Sequence, residues 1–405
     1  MVAGLSLALA GVLLTAMSAA TQAPARRAAG PDPYGTGDAA VARRAGYESC
    51  GPFPFGLQHG SADIDTLLGD EPLVWLETAH FRIGCSLAPL QLRGEREWVD
   101  RTRKELATLK TRLPAVKADS RDLDPWLRAH LIALRCEALY ADVCQQLGVD
   151  AAAFPPAPGH DAKQAATFLG FGPHLGMRDK FGVLLLRKAS SLARYTRRYM
   201  GGRESTEPRR HYEETAPMTF AVAEDSSGGR LHDDLMLHTQ LAYNLAWQLY
   251  NGYRGYLHDL PPWLSLGLAH WHARRISPRF SAYEREIGGE LETRDFWKWD
   301  ERAAGLARSG ALESLAGLMA RRDEQAFGME QHIASWAFVD WLLRTRRPAF
   351  RTLLHEWKTP FHAGMRVPQE NDRRERAAAA WRTALGADIG VVEAAWLTEL
   401  RRGRN

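Results

Sequence analysis

Three side chains near the middle of this 405-residue sequence are of the types that hold a metal ion: Asp234, His238 and His270. Asp234 precedes His238 by four residues, one helical turn, so the two project from the same face of a helix. A carboxylate and two imidazoles would suffice for Zn²⁺. That ion takes three protein ligands at catalytic sites and leaves a fourth position for a water whose pKa it lowers to about 7. Each residue also has an ordinary reading. Asp233 and Asp234 fall in a first helical turn, where carboxylates complement the helix dipole. His270 and His272 fit the polar edge of an amphipathic helix, and His232 and His258 add less. Ser265, in WLSLG, lacks the flanking glycines of a nucleophile elbow. Ser226-Ser227-Gly228-Gly229 reads as a turn, because a phosphate cradle would need the lysine of a Walker A loop.

The elements that must position these residues follow from periodicity. An apolar helix runs from about Leu231 to Tyr250, and Pro261-Pro262 opens the next one. Upstream, residues 72–87 alternate and are rich in β-formers, which predicts a strand. Two helices follow, REWVDRTRKELATLKTRL and DPWLRAHLIALRCEALYADVCQQL, the second with Asp124 as N-cap and Pro125 at its first position. FPPAPGHDAKQ reads as a loop, DKFGVLLLRKAS as a buried strand leading into the helix SLARYTRRYM, and APMTFAVAEDSS as a further strand. From about residue 295 to the end the apolar spacing is helical. The fold class expected is α+β: a small mixed or antiparallel sheet followed by a mainly helical C-terminal half.

HTQLA followed by PPWLSLGLAHW resembles the paired motif helices of the gluzincin metallopeptidases, specifically the bacterial peptidase MA-like group. ETAHFRI resembles the family's opening strand, DKFGVLLLRKASSLARY its strand-then-helix, TFAVAED the strand before the motif helix, and ASWAFVDWLL with ALGADIGVVEAAWLTEL its closing helices. The match spans roughly residues 72 to 400. In that family the first helix carries H-E-x-x-H and the second W-L-x-E-G-x-A. The resemblance places His238 at the first ligand position, Thr239 where the catalytic Glu belongs, Ala242 at the second His and Leu266 at the third ligand. Thr239 cannot act as a base at neutral pH, a loss worth roughly 10²–10⁴ in rate. Ala242 and Leu266 cannot bind metal. The resemblance therefore implies a pseudopeptidase without cofactor. It would keep its cleft, lined by Ala242, Tyr243, Trp263 and Leu266, for a peptide or protein partner or as structure alone. The alternative is an active zinc-dependent hydrolase with a rewired site of His238, Asp234 and His270.

Bulk properties narrow the classes further. The net charge of +4, from 52 basic and 48 acidic residues, lacks the basic excess of a nucleic-acid protein. Residues 2–20 are apolar and end in small residues, which predicts export to the periplasm or the exterior with cleavage after Ala20; an uncleaved N-terminal anchor is the alternative. Residues 21–71 read as a leader and turn-rich entry, 72–275 as the peptidase-like α+β part, and 276–405 as a helical part. Cys136 and Cys144 lie eight apart on one helix, about 12 Å of rise and beyond disulfide reach. Cys50 and Cys85 are left to pair with each other or with that helix, or all four remain free thiols. Trp263, Trp271, Trp336, Trp341, Trp381 and Trp396 recur at helical spacing, as core or as a stacking platform for sugar or peptide.

Overall fold

The computed structural model describes residues 30–56, 58–152, 180–211, 218–254, 259–283, 297–358 and 370–403. The apolar N-terminal run and the expected loop FPPAPGHDAKQ lie outside the described residues. Residues 30–48, expected as part of a leader, instead hold the short helix α1 (Ala39–Ala45). Asp38 caps its start, and Gly46, at φ 91°, ends it. Asp32 ties the segment down by accepting hydrogen bonds from Thr36 and, at 3.2 Å, from the buried ring of His130. After α2 (Ser61–Leu67) comes the strand expected over 72–87, which is two strands, β1 (Val74–Glu77) and β2 (Phe81–Cys85). Thr78 makes the break: its hydroxyl accepts from the Phe81 amide at 3.0 Å and folds the chain into an antiparallel pair.

Strand β3 (Leu90–Gln91), α3 (Arg96–Arg112), β4 (Asp122–Leu123) and α4 (Pro125–Leu147) follow. Asp124 caps α4 by accepting from the Leu127 amide at 3.0 Å, with Pro125 opening the helix as the sequence indicates. Then come β5 (Phe181–Leu186), α5 (Ala189–Tyr199), β6 (Arg209–His211) and β7 (Thr219–Ala223). Five strands form one mixed sheet in the order β1-β2-β5-β7-β6, antiparallel at both edges and parallel in the middle. Strand alternation sends Val183, Leu185, Phe220 and Val222 to the main core and Leu184, Leu186, Ala221 and Ala223 to a smaller core under α2 and α5. Burial on both faces explains why β5 reads as an uninterrupted apolar run.

The helical half contains α6 (Asp234–Gly252), α7 (Pro262–Ile276), α8 (Trp299–Ser309), α9 (Leu315–Ala320), α10 (Met329–Thr345), α11 (Arg347–Trp357), α12 (Glu370–Leu385) and α13 (Ile389–Arg402). The architecture is α+β, as the sequence predicts. Helix α7 is layered between α6 and α10. It comes so close to α10 that a Cβ on Gly267 would stand 2.6 Å from the Ser335 carbonyl oxygen. Phe338 of α10 gathers four of the six periodic tryptophans, with ring centroids at 5.6 Å for Trp263, 5.8 Å for Trp341, 6.1 Å for Trp381 and 5.2 Å for Trp396. One continuous core runs from the sheet into these helices, across the boundary drawn near residue 275. All four cysteines are free thiols, and three of them are buried. Among the described residues no helix is long and apolar enough to cross a membrane.

Candidate functional site

Helix α6 positions the residues that the sequence singles out. It follows a tight turn, Ser227–His232, in which Gly228 and Gly229 take φ values of 67° and 80°. Asp233 then caps the helix by accepting from the Met236 amide at 3.0 Å. With 3.6 residues per turn, Asp234, His238, Leu241, Ala242 and Leu245 share one side and Gln240, Tyr243 and Trp247 the other. These two sides meet different surroundings.

The first side faces α3 and α4. Arg135 of α4 grips Asp234 with two parallel hydrogen bonds of 3.0 and 2.9 Å and reaches Glu105 of α3 at 2.9 Å. Its guanidinium lies 5.1 Å over the Trp98 ring. Burial opposes charge on Asp234, but the Arg135 charge and hydrogen bonds outweigh it and hold the carboxyl below its ordinary pKa. One turn along, His238 is 6 % exposed, and its ring is 5.7 Å from Trp98. Burial, reinforced by the positive charges of Arg135 and Arg101, keeps this imidazole well below its usual range, so it is neutral at pH 7. Its Nδ1 has no hydrogen-bond partner among the described residues.

Beside His238 lies a cavity of about 430 Å³ between α3, α4, α6 and the end of α7. Ala242, Leu241 and Leu245 line its buried part, and Lys104, Thr108, Ala138 and Arg275 line its exposed edge. Asp142 of α4 reaches the α7 wall, accepting from Arg275 at 2.6 Å and lying 3.4 Å from the His272 ring. His272 in turn is hydrogen-bonded to the Tyr250 hydroxyl at 3.1 Å.

The second side of α6 is closed. Gln240 donates to the Tyr283 carbonyl at 2.6 Å, and Tyr243 packs 4.8 Å from the His270 ring. His270 Nε2 is 3.0 Å from His332 Nδ1 on α10, and Trp299 and Tyr283 pack edge-on against His270 at 4.8 and 5.4 Å. Burial lowers both imidazoles, His332 to about 3, so the pair is neutral and shares one hydrogen bond.

Asp234, His238 and His270 therefore do not converge. Asp234 is committed to Arg135, His238 opens on the cavity, and His270 is enclosed with His332. The residues present do not fit the zinc centre of the intact gluzincin motif, nor the rewired one of His238, Asp234 and His270. Ala242 and Leu266 carry no donor atom, and Thr239 donates its hydroxyl to the Leu235 carbonyl at 2.7 Å within its own helix. Among the described residues no three His, Cys, Asp or Glu side chains are grouped to hold a metal ion.

Of the four residues expected along a cleft, Ala242 lines the cavity, whereas Tyr243, Trp263 and Leu266 are buried in the core. The reason is rotational. Tyr243 is one residue, about 100°, round the helix from Ala242, and Trp263 turns toward Phe338. Sequence reasoning missed Arg135, Asp142, Arg101 and Lys104. Their signal was present: Arg135 and Asp142 are charges seven apart on one face of α4, and Arg101, Lys104 and Thr108 repeat along one face of α3. It also missed His332, which has no local pattern at all. No protein-family model, no curated protein and no solved structure matches this chain.

Proposed function

We propose that this chain is an exported, gluzincin-like protein that has lost zinc-peptidase activity and uses the cavity beside α6 to bind a peptide or protein partner. One observation carries this reading: Asp234, His238 and His270 are divided between a committed ion pair, an open cavity and a sealed histidine pair. Peptide hydrolysis by zinc needs a water activated on the metal and a base beside it. Asp234 cannot rotate toward a metal without abandoning a buried guanidinium, and leaving a buried charge unpaired costs about 3–5 kcal/mol. Export rests on the apolar run of residues 2–20.

Incubation of the purified protein with a mixed peptide library and added Zn²⁺, followed by mass spectrometry, tests the loss of catalysis. No cleavage above the buffer control is expected. Chelator-sensitive cleavage that disappears in His238→Ala would overturn it in favour of a hydrolase built on His238, Asp234 and His270.

A further inference from the structure

We infer that the cavity between α3, α4, α6 and α7 is a binding site for a carboxylate carried on an aliphatic group, its negative head held at the basic edge and its tail against Leu241, Ala242 and Leu245. The inference deepens the binding half of the reading above and does not depend on whether peptidase chemistry is lost. Three features carry it.

The first is charge. Four cationic side chains line the cavity, Arg101, Lys104, Arg135 and Arg275, against two carboxylates, Glu105 and Asp142. Asp234, behind the wall, neutralises Arg135, while Glu105 is shared by Arg135 and Arg101 and Asp142 is held by Arg275. Lys104 is exposed at the edge and enters no ion pair among the described residues. One positive charge thus remains over, at the place where solvent enters. That balance matches a ligand with a single negative charge.

The second is polarity by depth. The buried part of the wall is Leu241, Ala242 and Leu245 with the neutral ring of His238, and Leu134, Leu139 and Ile276 flank it part-way out. A tail placed there removes apolar surface from water, worth about 25 cal/mol per Å². The head need not leave the edge, so its desolvation is partial.

The third is size. A volume of about 430 Å³ falls within the range of small-ligand pockets, roughly 300–1,000 Å³. It is too small for a folded partner and suits one apolar side chain or a medium-length acyl chain. A free fatty acid and the C-terminal residue of a peptide ending in leucine present this same chemistry, so both are probed.

The test is isothermal titration of the purified protein with octanoate, with octanol, with an acetylated tripeptide ending in Leu, and with its C-terminal amide. Saturable binding of octanoate, of the peptide acid, or of both is expected, and which one binds identifies the source. The uncharged analogue of the ligand that binds should be weaker by about tenfold or more, since each tenfold is about 1.4 kcal/mol of lost charge recognition. Lys104→Glu, on the exposed edge, should weaken the acid by about tenfold while leaving the melting temperature in place. Added salt should weaken it further. Binding of acid and uncharged analogue with equal affinity, or no binding of either acid, would overturn the assignment. So would an unchanged affinity in Lys104→Glu.

Discussion

The two sides of α6 have the same parent helix and opposite physics. On the side toward α3 and α4, charges are buried but paired, and a cavity opens beside His238. On the side toward α7 and α10, aromatic rings and the uncharged imidazole of His332 pack around His270, itself uncharged, and Gly267 lets the helix backbones close the space. A metal centre needs several donors converging on one point from one side. Here the donors are distributed to both sides: Arg135 holds Asp234, His332 holds His270, and His238 faces the cavity. A helix can carry several donor side chains while its rotation gives one side to packing and leaves the other open on a cavity.

The largest effect that would sharpen this contrast is on the charged side. Arg135→Met leaves Asp234 buried without its partner, and urea unfolding should register a loss of about 3–5 kcal/mol. Adding Asp234→Asn should restore part of it. A loss below about 1 kcal/mol would mean that this side is solvated like any surface.

On the sealed side the sign of the pH dependence is fixed by His270 and His332. Their folded pKa values are depressed by burial, His332 to about 3, against about 6.5 when unfolded. Their contribution is therefore fully present above pH 6.5 and is lost as pH falls toward the folded value. Each costs about 1.4 kcal/mol per pH unit in that window. Between pH 6.5 and 5, His332→Leu should lose about 2 kcal/mol less stability than the parent, from the same linkage. Identical losses would show that His332 is open to protonation in the folded state.

Gly267→Ala places a methyl 2.6 Å from the Ser335 carbonyl oxygen. It should destabilise by about 1–3 kcal/mol through overpacking. An unchanged melting temperature would mean that α7 and α10 separate easily. The smallest effect is at the shared start of the helix. Asp233→Ala removes the cap bond to Met236, and a loss of about 1 kcal/mol is expected in thermal unfolding. An equal melting point would place the start of α6 elsewhere.

Much of the architecture was legible in the chain because it rests on local rules. Asp124-Pro125 announced α4 and Pro261-Pro262 announced α7. The GVLLL run announced a strand buried on both faces. The Thr78 break was not legible, because a side-chain hydrogen bond, not a glycine or proline, makes the turn. Residues 30–48 looked like a leader by composition, yet Asp32 secures them through His130, 98 positions away. The candidate site was legible only in part. Spacing put Asp234 and His238 on one face correctly, but His270 was assigned to them from periodicity on a separate helix. Rotation between two helices is a tertiary quantity that neither periodicity contains. Arg135 decides the fate of Asp234 from 99 residues upstream, and His332 decides that of His270 from 62 residues downstream.

The central claim is that these donors are divided between the two sides of α6 and hold no zinc. The most direct test is elemental analysis of the purified protein after exposure to excess Zn²⁺ and gel filtration, alongside His238→Ala. The division of donors predicts zinc well below stoichiometric and equal in both proteins. Zinc near one per chain in the parent, lost in His238→Ala, would contradict it and would mean that Asp234 or His270 turns to join His238 on a metal.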